Sequence, residues 1–136
     1  MPDIACVNGM FSALADAKVS IEDRGFQFGD GVYEVIAVYG GRPFLLDRHM
    51  RRLRTSTAAI GIPYDFDVNP LDAVIAEGLR KSEYASALVY IQLTRGAAPR
   101  SHVIPAGLRP TVVLTFRPLP EVSAEYRGRG VALMTT

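Results

Sequence analysis

Glu22-Asp23-Arg24-Gly25-Phe26-Gln27-Phe28-Gly29-Asp30-Gly31-Val32-Tyr33-Glu34-Val35 is the stretch on which the reading of this chain turns. Residues 23–31 hold three glycines and two phenylalanines, which predicts an ordered loop rather than a flexible linker. Glycines at 25, 29 and 31 fit neither a P-loop nor a dinucleotide fingerprint, and the loop leads into a strand, not a helix. From residue 32 to residue 39 the β-branched and aromatic content predicts that strand. Tyr33 stands at the loop exit. It presents a phenol to a pocket if the loop walls one, and is otherwise a cross-strand aromatic. Asp16, Glu22, Asp23 and Asp30 show no pairing pattern and read as solvated caps.

Outward from this stretch the punctuation is regular. Asn8-Gly9 supplies the positive φ angles of a tight turn and predicts a hairpin over residues 4–14. Gly40-Gly41 turns the strand at 32–39 back into residues 42–46, with Pro43 at an edge or a strand start. Asp47 reads as the N-cap of a helix over 47–60, with Met50, Leu53, Thr57 and Ile60 on one face and Arg48, Arg51 and Arg52 on the other. A second helix is predicted over 70–82, with Pro70 at its first position and Leu71, Val74, Ile75 and Leu79 as its stripe. Strands are predicted at 87–95 and 111–117. Residues 118–129 read as a polar boundary, and 130–136 as the start of another strand. The fold class expected is α+β: a mostly antiparallel sheet with two helices on one face.

Composition narrows the classes of function. The 136 residues are 49% hydrophobic and 21% charged, enough for one core. Fifteen basic against fourteen acidic side chains leave a net charge of +1, so no bulk field draws nucleic acid or an anionic membrane. The single cysteine, Cys6, makes no internal disulfide, which fits a reducing compartment. Met1-Pro2-Asp3 lacks a signal-peptide layout and no apolar run is long enough to span a membrane, so a cytoplasmic protein is expected. Lys18 and Lys81 are the two lysines, and the two histidines lie far apart with no metal-ligand spacing around Cys6.

Two clusters carry candidate chemistry. Arg48-His49-Met50-Arg51-Arg52-Leu53-Arg54 has four arginines in seven residues. Without interleaved aromatics it is a poor RNA surface, and one of these arginines holding a single phosphate is the sharper reading. Composition does not say which one. Arg100 and His102 lie two apart in a segment stiffened by Pro99 and Pro105, so an extended backbone puts both on one side, toward one anion. A solvated loop with two unrelated polar residues is the alternative.

Three stretches together resemble the class IV aminotransferases, pyridoxal-phosphate enzymes of fold type IV, and their D-amino acid branch in particular. They are residues 22–35 as quoted, then His49-Met50-Arg51-Arg52-Leu53, then Thr94-Arg95-Gly96-Ala97-Ala98-Pro99-Arg100-Ser101-His102. The resemblance implies that Arg52 binds the phosphate of pyridoxal 5'-phosphate and that Tyr33 lines the substrate pocket. It implies that Arg100 and His102 trap the substrate α-carboxylate, reaching into the active site of a second copy in a homodimer. The activity implied is transfer of the amino group of a D-amino acid such as D-alanine to a 2-oxo acid such as 2-oxoglutarate. A 4-amino-4-deoxychorismate lyase, a branched-chain or amine transaminase, and a non-catalytic dimerisation fragment are the alternatives.

The resemblance also implies a gap. The family's Schiff-base lysine matches neither Lys18 nor Lys81 and is expected beyond Thr136, so no catalytic residue is assigned here. Residues 1–120 are then the N-terminal domain, and 121–136 a linker with the first strand of a further domain. A chain of these 136 residues is expected to be inactive alone.

Overall fold

In a computed structural model, residues 3–135 are described. Six strands form one antiparallel sheet: β1 (Ile4–Val7), β2 (Met10–Ala13), β3 (Gly31–Tyr39), β4 (Arg42–Pro43), β5 (Ala87–Thr94) and β6 (Thr111–Pro118), in the order β2-β1-β6-β5-β3-β4. The fold is α+β, as expected. Asn8 and Gly9 both take positive φ, 50° and 85°, so the first hairpin closes on the turn its sequence encodes.

Strand alternation gives the sheet one dry face. On β5, Ala87, Val89, Ile91 and Leu93 are buried, and on β6 so are Val112, Leu114 and Phe116. Helices α2 (Leu46–Ala59) and α3 (Leu71–Ser82) cover this face, with Met50, Leu53, Leu71 and Ile75 packed into the shared core. The opposite face has no cover among the described residues. Tyr33 and Val35 are exposed there, and Tyr90 and Gln92 half-buried.

Helix α3 lies unusually close to β6. A Cβ built on Gly78 would sit 2.0 Å from Phe116 Cζ, on a ring that is itself fully buried. Gly78 is therefore a packing residue and not a flexible point.

Several local expectations change. Residues 23–31 contain a short helix, α1 (Arg24–Phe28), where a loop was expected, because Asp23 caps it by accepting from Gly25 N at 2.8 Å. The N-cap of α2 is Leu45 in the left-handed region, without a side-chain cap, and Asp47 lies inside the first turn. An acidic side chain there still complements the helix dipole. Pro70 stands just outside α3 as its N-cap. The return arm β4 pairs over two residues only, since Pro43 offers no N–H to the ladder. Ile60 lies beyond α2 and is exposed. The polar boundary contains helix α4 (Ala124–Arg129), started by Ser123. Residues 131–135 form no strand, and Thr136, the end of the strand expected there, lies outside the described residues, as do Met1 and Pro2.

Gly78→Ala supplies a direct test of the α3–β6 contact. Alanine gains about 1 kcal/mol in helix propensity, but overpacking costs about 1–3 kcal/mol. Net destabilisation is expected in urea unfolding, and a stabilised variant would show that the helix can lift from Phe116 freely.

Candidate active site

The buried charged groups among the described residues gather at two places joined by β3. The first is on the dry face. Val32, Glu34, Ile36 and Val38 alternate toward α2, which carries the Glu34 carboxylate into the interior at 2% exposure. An unpaired carboxylate there would be costly. Glu34 instead accepts from Arg52 Nε at 2.5 Å and Arg52 Nη2 at 2.6 Å. His49 Nδ1 lies 2.8 Å from Glu34 Oε2 and donates to it in the tautomer protonated at that nitrogen. Burial acts to raise the Glu34 pKa, yet the hydrogen bonds from Arg52 and His49 outweigh it and hold the carboxyl below its usual range.

Arg52 keeps most of its side chain in solvent, at 68% exposure. Two donors along one edge of its fork are spent on Glu34, and no hydrogen bond among the described residues engages Nη1. That leaves a fixed, charged guanidinium with donors for an external anion. Of the four arginines at 48–54, Arg52 is held by a buried carboxylate, whereas Arg54 lies 4.9 Å from the Phe66 ring and pairs with the exposed Asp67. The Tyr33 ring packs at 6.0 Å from Tyr90 across the open face, beside a hollow of about 480 Å³ floored by Gln92 and Thr94. Tyr33 is thus both a cross-strand aromatic and a pocket wall.

The second place is the end of the sheet where α1 meets residues 96–102. Backbone bonds zip the two together: Arg24 N donates to Gly96 O at 2.9 Å, and Ala98 N to Glu22 O at 3.2 Å. Beneath them Asp30 Oδ2 accepts from both Arg24 Nε and Arg95 Nε at 2.8 Å. Arg95 also donates to Gly61 O and Ile60 O, tying the end of α2 to β5. Asp30 is no solvated cap. Both arginines are buried and a shared anion is what makes that tolerable. The Arg95 hydrogen bond chiefly, then that of Arg24, hold the Asp30 carboxyl below its usual range against the opposing effect of burial.

Arg100 and His102 stand on this base, exposed to solvent. The Arg100 guanidinium lies 5.2 Å from the centre of the Phe28 ring, and the His102 ring 5.5 Å from it. Residues 99–100 and 102–103 are bends rather than the extended segment expected, so contact with one ring, not strand alternation, is what brings the two together. No hydrogen bond, ion pair or ring contact among the described residues joins this pair to Tyr33 or Arg52, and Tyr33 lies on the open face of the sheet while Arg52 is held from the dry one. A cleft of about 750 Å³ between Tyr64, Pro70 and Arg109 holds none of them.

Arg24, Phe28, Asp30, Glu34, His49 and Arg95 escaped the sequence reading of the site. For Glu34 a signal existed: strand alternation puts it among Val32, Ile36 and Val38, where a carboxylate must find a partner.

With these residues placed, the family can be stated. The chain belongs to the amino-transferase class IV family, whose sequence profile matches residues 31–136. It is 41% identical over 128 residues to D-alanine aminotransferase of Bacillus licheniformis, a match covering 94% of this chain and 45% of that protein. The chain therefore spans about half the length of the curated relatives it matches. Among solved structures it is similar to 4-amino-4-deoxychorismate lyase of Pseudomonas aeruginosa, with 29% identity and a TM-score of 0.77 over 93% of this chain and 44% of that one. It is also similar to the branched-chain amino acid aminotransferase of Escherichia coli, with 25% identity and a TM-score of 0.81 over 92% of this chain and 43% of that one.

The Asp30 and Glu34 shifts set an acid limb. Both folded-state values are lowered, so their contribution is complete above the ordinary carboxylate pKa of about 4 and is lost as pH falls through the lowered values. Asp30→Asn is expected to destabilise the protein by about 3 kcal/mol at neutral pH and to flatten that limb. Urea unfolding between neutral and acidic pH measures both, and an unchanged limb would remove Asp30 from the account.

Proposed function

We propose that this chain is the N-terminal part of a pyridoxal-phosphate-dependent aminotransferase that moves the amino group of a D-amino acid, D-alanine foremost, to a 2-oxo acid such as 2-oxoglutarate. The observation that carries the reading is the Arg100–His102 pair. Two cationic or donor side chains rest against one ring, exposed, with no carboxylate of this chain bonded to either among the described residues. A planar guanidinium and an adjacent imidazole offer convergent donors to an incoming α-carboxylate. Similarity to D-alanine aminotransferases supports the choice of substrate class.

Arg52 fits the cofactor phosphate. Its guanidinium is oriented by Glu34, remains charged through those same hydrogen bonds, and keeps Nη1 clear. Bound there, pyridoxal phosphate would supply the electron-withdrawing ring that makes the α-hydrogen of an amino acid removable. Tyr33 walls the substrate side of the pocket. Arg100 and His102 orient the substrate by its carboxylate, acting in the site of the second subunit of a homodimer. The lysine that carries the cofactor belongs to the part of the protein beyond Thr136, with residues 1–120 forming the N-terminal domain and 121–136 leading into the next. The 136 residues alone do not transaminate on this reading.

A second reading, a 4-amino-4-deoxychorismate lyase, draws on the solved lyase structure, which this chain matches over 93% of its length. A substrate panel with D-alanine, L-leucine and 4-amino-4-deoxychorismate separates the readings.

In the complete enzyme, Arg100→Ala is expected to raise KM for D-alanine by about 10- to 100-fold while cofactor content stays level. Arg52→Ala is expected to do the reverse, with cofactor lost on gel filtration as read by its absorbance. Equal KM values for Arg100→Ala and the parent would remove the carboxylate trap.

A further inference from the structure

Phe28 sits at the centre of a group that the proposed reaction does not by itself require. Its half-buried ring has the Arg24 guanidinium 4.6 Å from its centre, Arg100 at 5.2 Å and His102 at 5.5 Å. Arg24 is 4% exposed, anchored to Asp30, and its Nη1 donates to Ser101 O at 2.7 Å. Ser101 is the residue between Arg100 and His102. One buried arginine therefore fixes the backbone between the two arms, and one aromatic ring carries the arms themselves.

The geometry points to Phe28 as a positioning residue for the substrate carboxylate, acting through Arg100 and His102, with Arg24 as its brace. This rests on the reading of those two residues as the carboxylate trap. The physical case is one of entropy and charge. Arg100 is a long, exposed side chain with several rotatable bonds, and holding it in a binding geometry costs rotamer freedom at the moment of binding. A π face within cation–π range restrains the guanidinium beforehand and leaves its donors free, which an acidic partner would not. A carboxylate in the ring's place would neutralise the charge that the substrate needs. The tilted His102 ring, at 56° to Phe28, is held in the same way without using either ring nitrogen.

The alternative is that Phe28 merely fills space under the loop, and the two roles separate in kinetics. In the complete holoenzyme, Phe28→Leu, which keeps an apolar filler and removes the π face, is expected to raise KM for D-alanine about tenfold. The inhibition constant of propionate, a carboxylate without an amino group, should rise by the same factor. Under these conditions kcat, cofactor absorbance and melting temperature stay near parental values. Phe28→Tyr, which keeps the ring, is expected to restore both constants. On an Arg100→Ala background Phe28→Leu should add little further, because the ring then has no guanidinium to hold.

Unchanged KM and propionate inhibition in Phe28→Leu would overturn the inference. So would a joint fall of kcat, cofactor content and melting temperature, which assigns the ring to packing. Phe28→Met serves the same comparison if the leucine variant does not accumulate. If Arg100→Ala alone leaves both constants unchanged, the carboxylate-trap reading is what has failed. If Arg100→Ala raises them and Phe28→Leu does not, the trap stands and the role given to Phe28 falls.

Discussion

The Asp30 carboxylate is the constraint on which the site end of this molecule depends. It accepts from Arg24 on α1 and from Arg95 just past β5, and Arg95 in turn holds the carbonyls that close α2. Two buried guanidinium groups would repel one another and lose hydration without it. One oxygen thus ties together a helix, the end of a strand, the tail of another helix and, through Arg24, the segment carrying Arg100 and His102. Remove that anion and both cations must seek water, which opens the same corner from which the arms project.

The protein handles its exposed cations in two ways. Arg52 is steered by an interior carboxylate, so its direction is set by the sheet, at the expense of two of its donors. Arg100 is steered by an aromatic face, which sets direction while leaving the full charge available. The first arrangement suits a charged group that stays bound, and the second suits a ligand that must arrive and leave. That division follows from electrostatics alone: a nearby carboxylate partly screens an arginine from an incoming anion, whereas a ring quadrupole does not.

Much of this was legible in the sequence where the signal is local. Asn8-Gly9 announced its hairpin, and the β-branched and aromatic content of 32–39 and the stripes of Leu53 and Ile75 announced β3, α2 and α3. The α+β architecture follows from those elements. What stayed hidden depends on contacts between distant residues. Asp30 looked like a loop acid because Arg95 lies far along the chain. Leu45 gave no hint of a left-handed N-cap, so Asp47 took that place by residue type alone. The Phe26/Phe28 pair was read as loop ordering, yet Phe26 is 77% exposed and only Phe28 gathers the cations. Spacing argued for convergence of Arg100 and His102 through an extended backbone, yet the segment bends, and nothing in the spacing showed the ring they rest on.

The contact between Gly78 and Phe116 constrains how this chain can change over time. Each position is locked by the other: a methyl at 78 meets the ring, and shrinking the ring first leaves a void under α3. Single steps in either direction are penalised, while the joint exchange of a larger residue at 78 for a smaller one at 116 is open. Drift at this helix–sheet junction therefore proceeds in coupled pairs, and a sequence that differs at one of the two sites should differ at both.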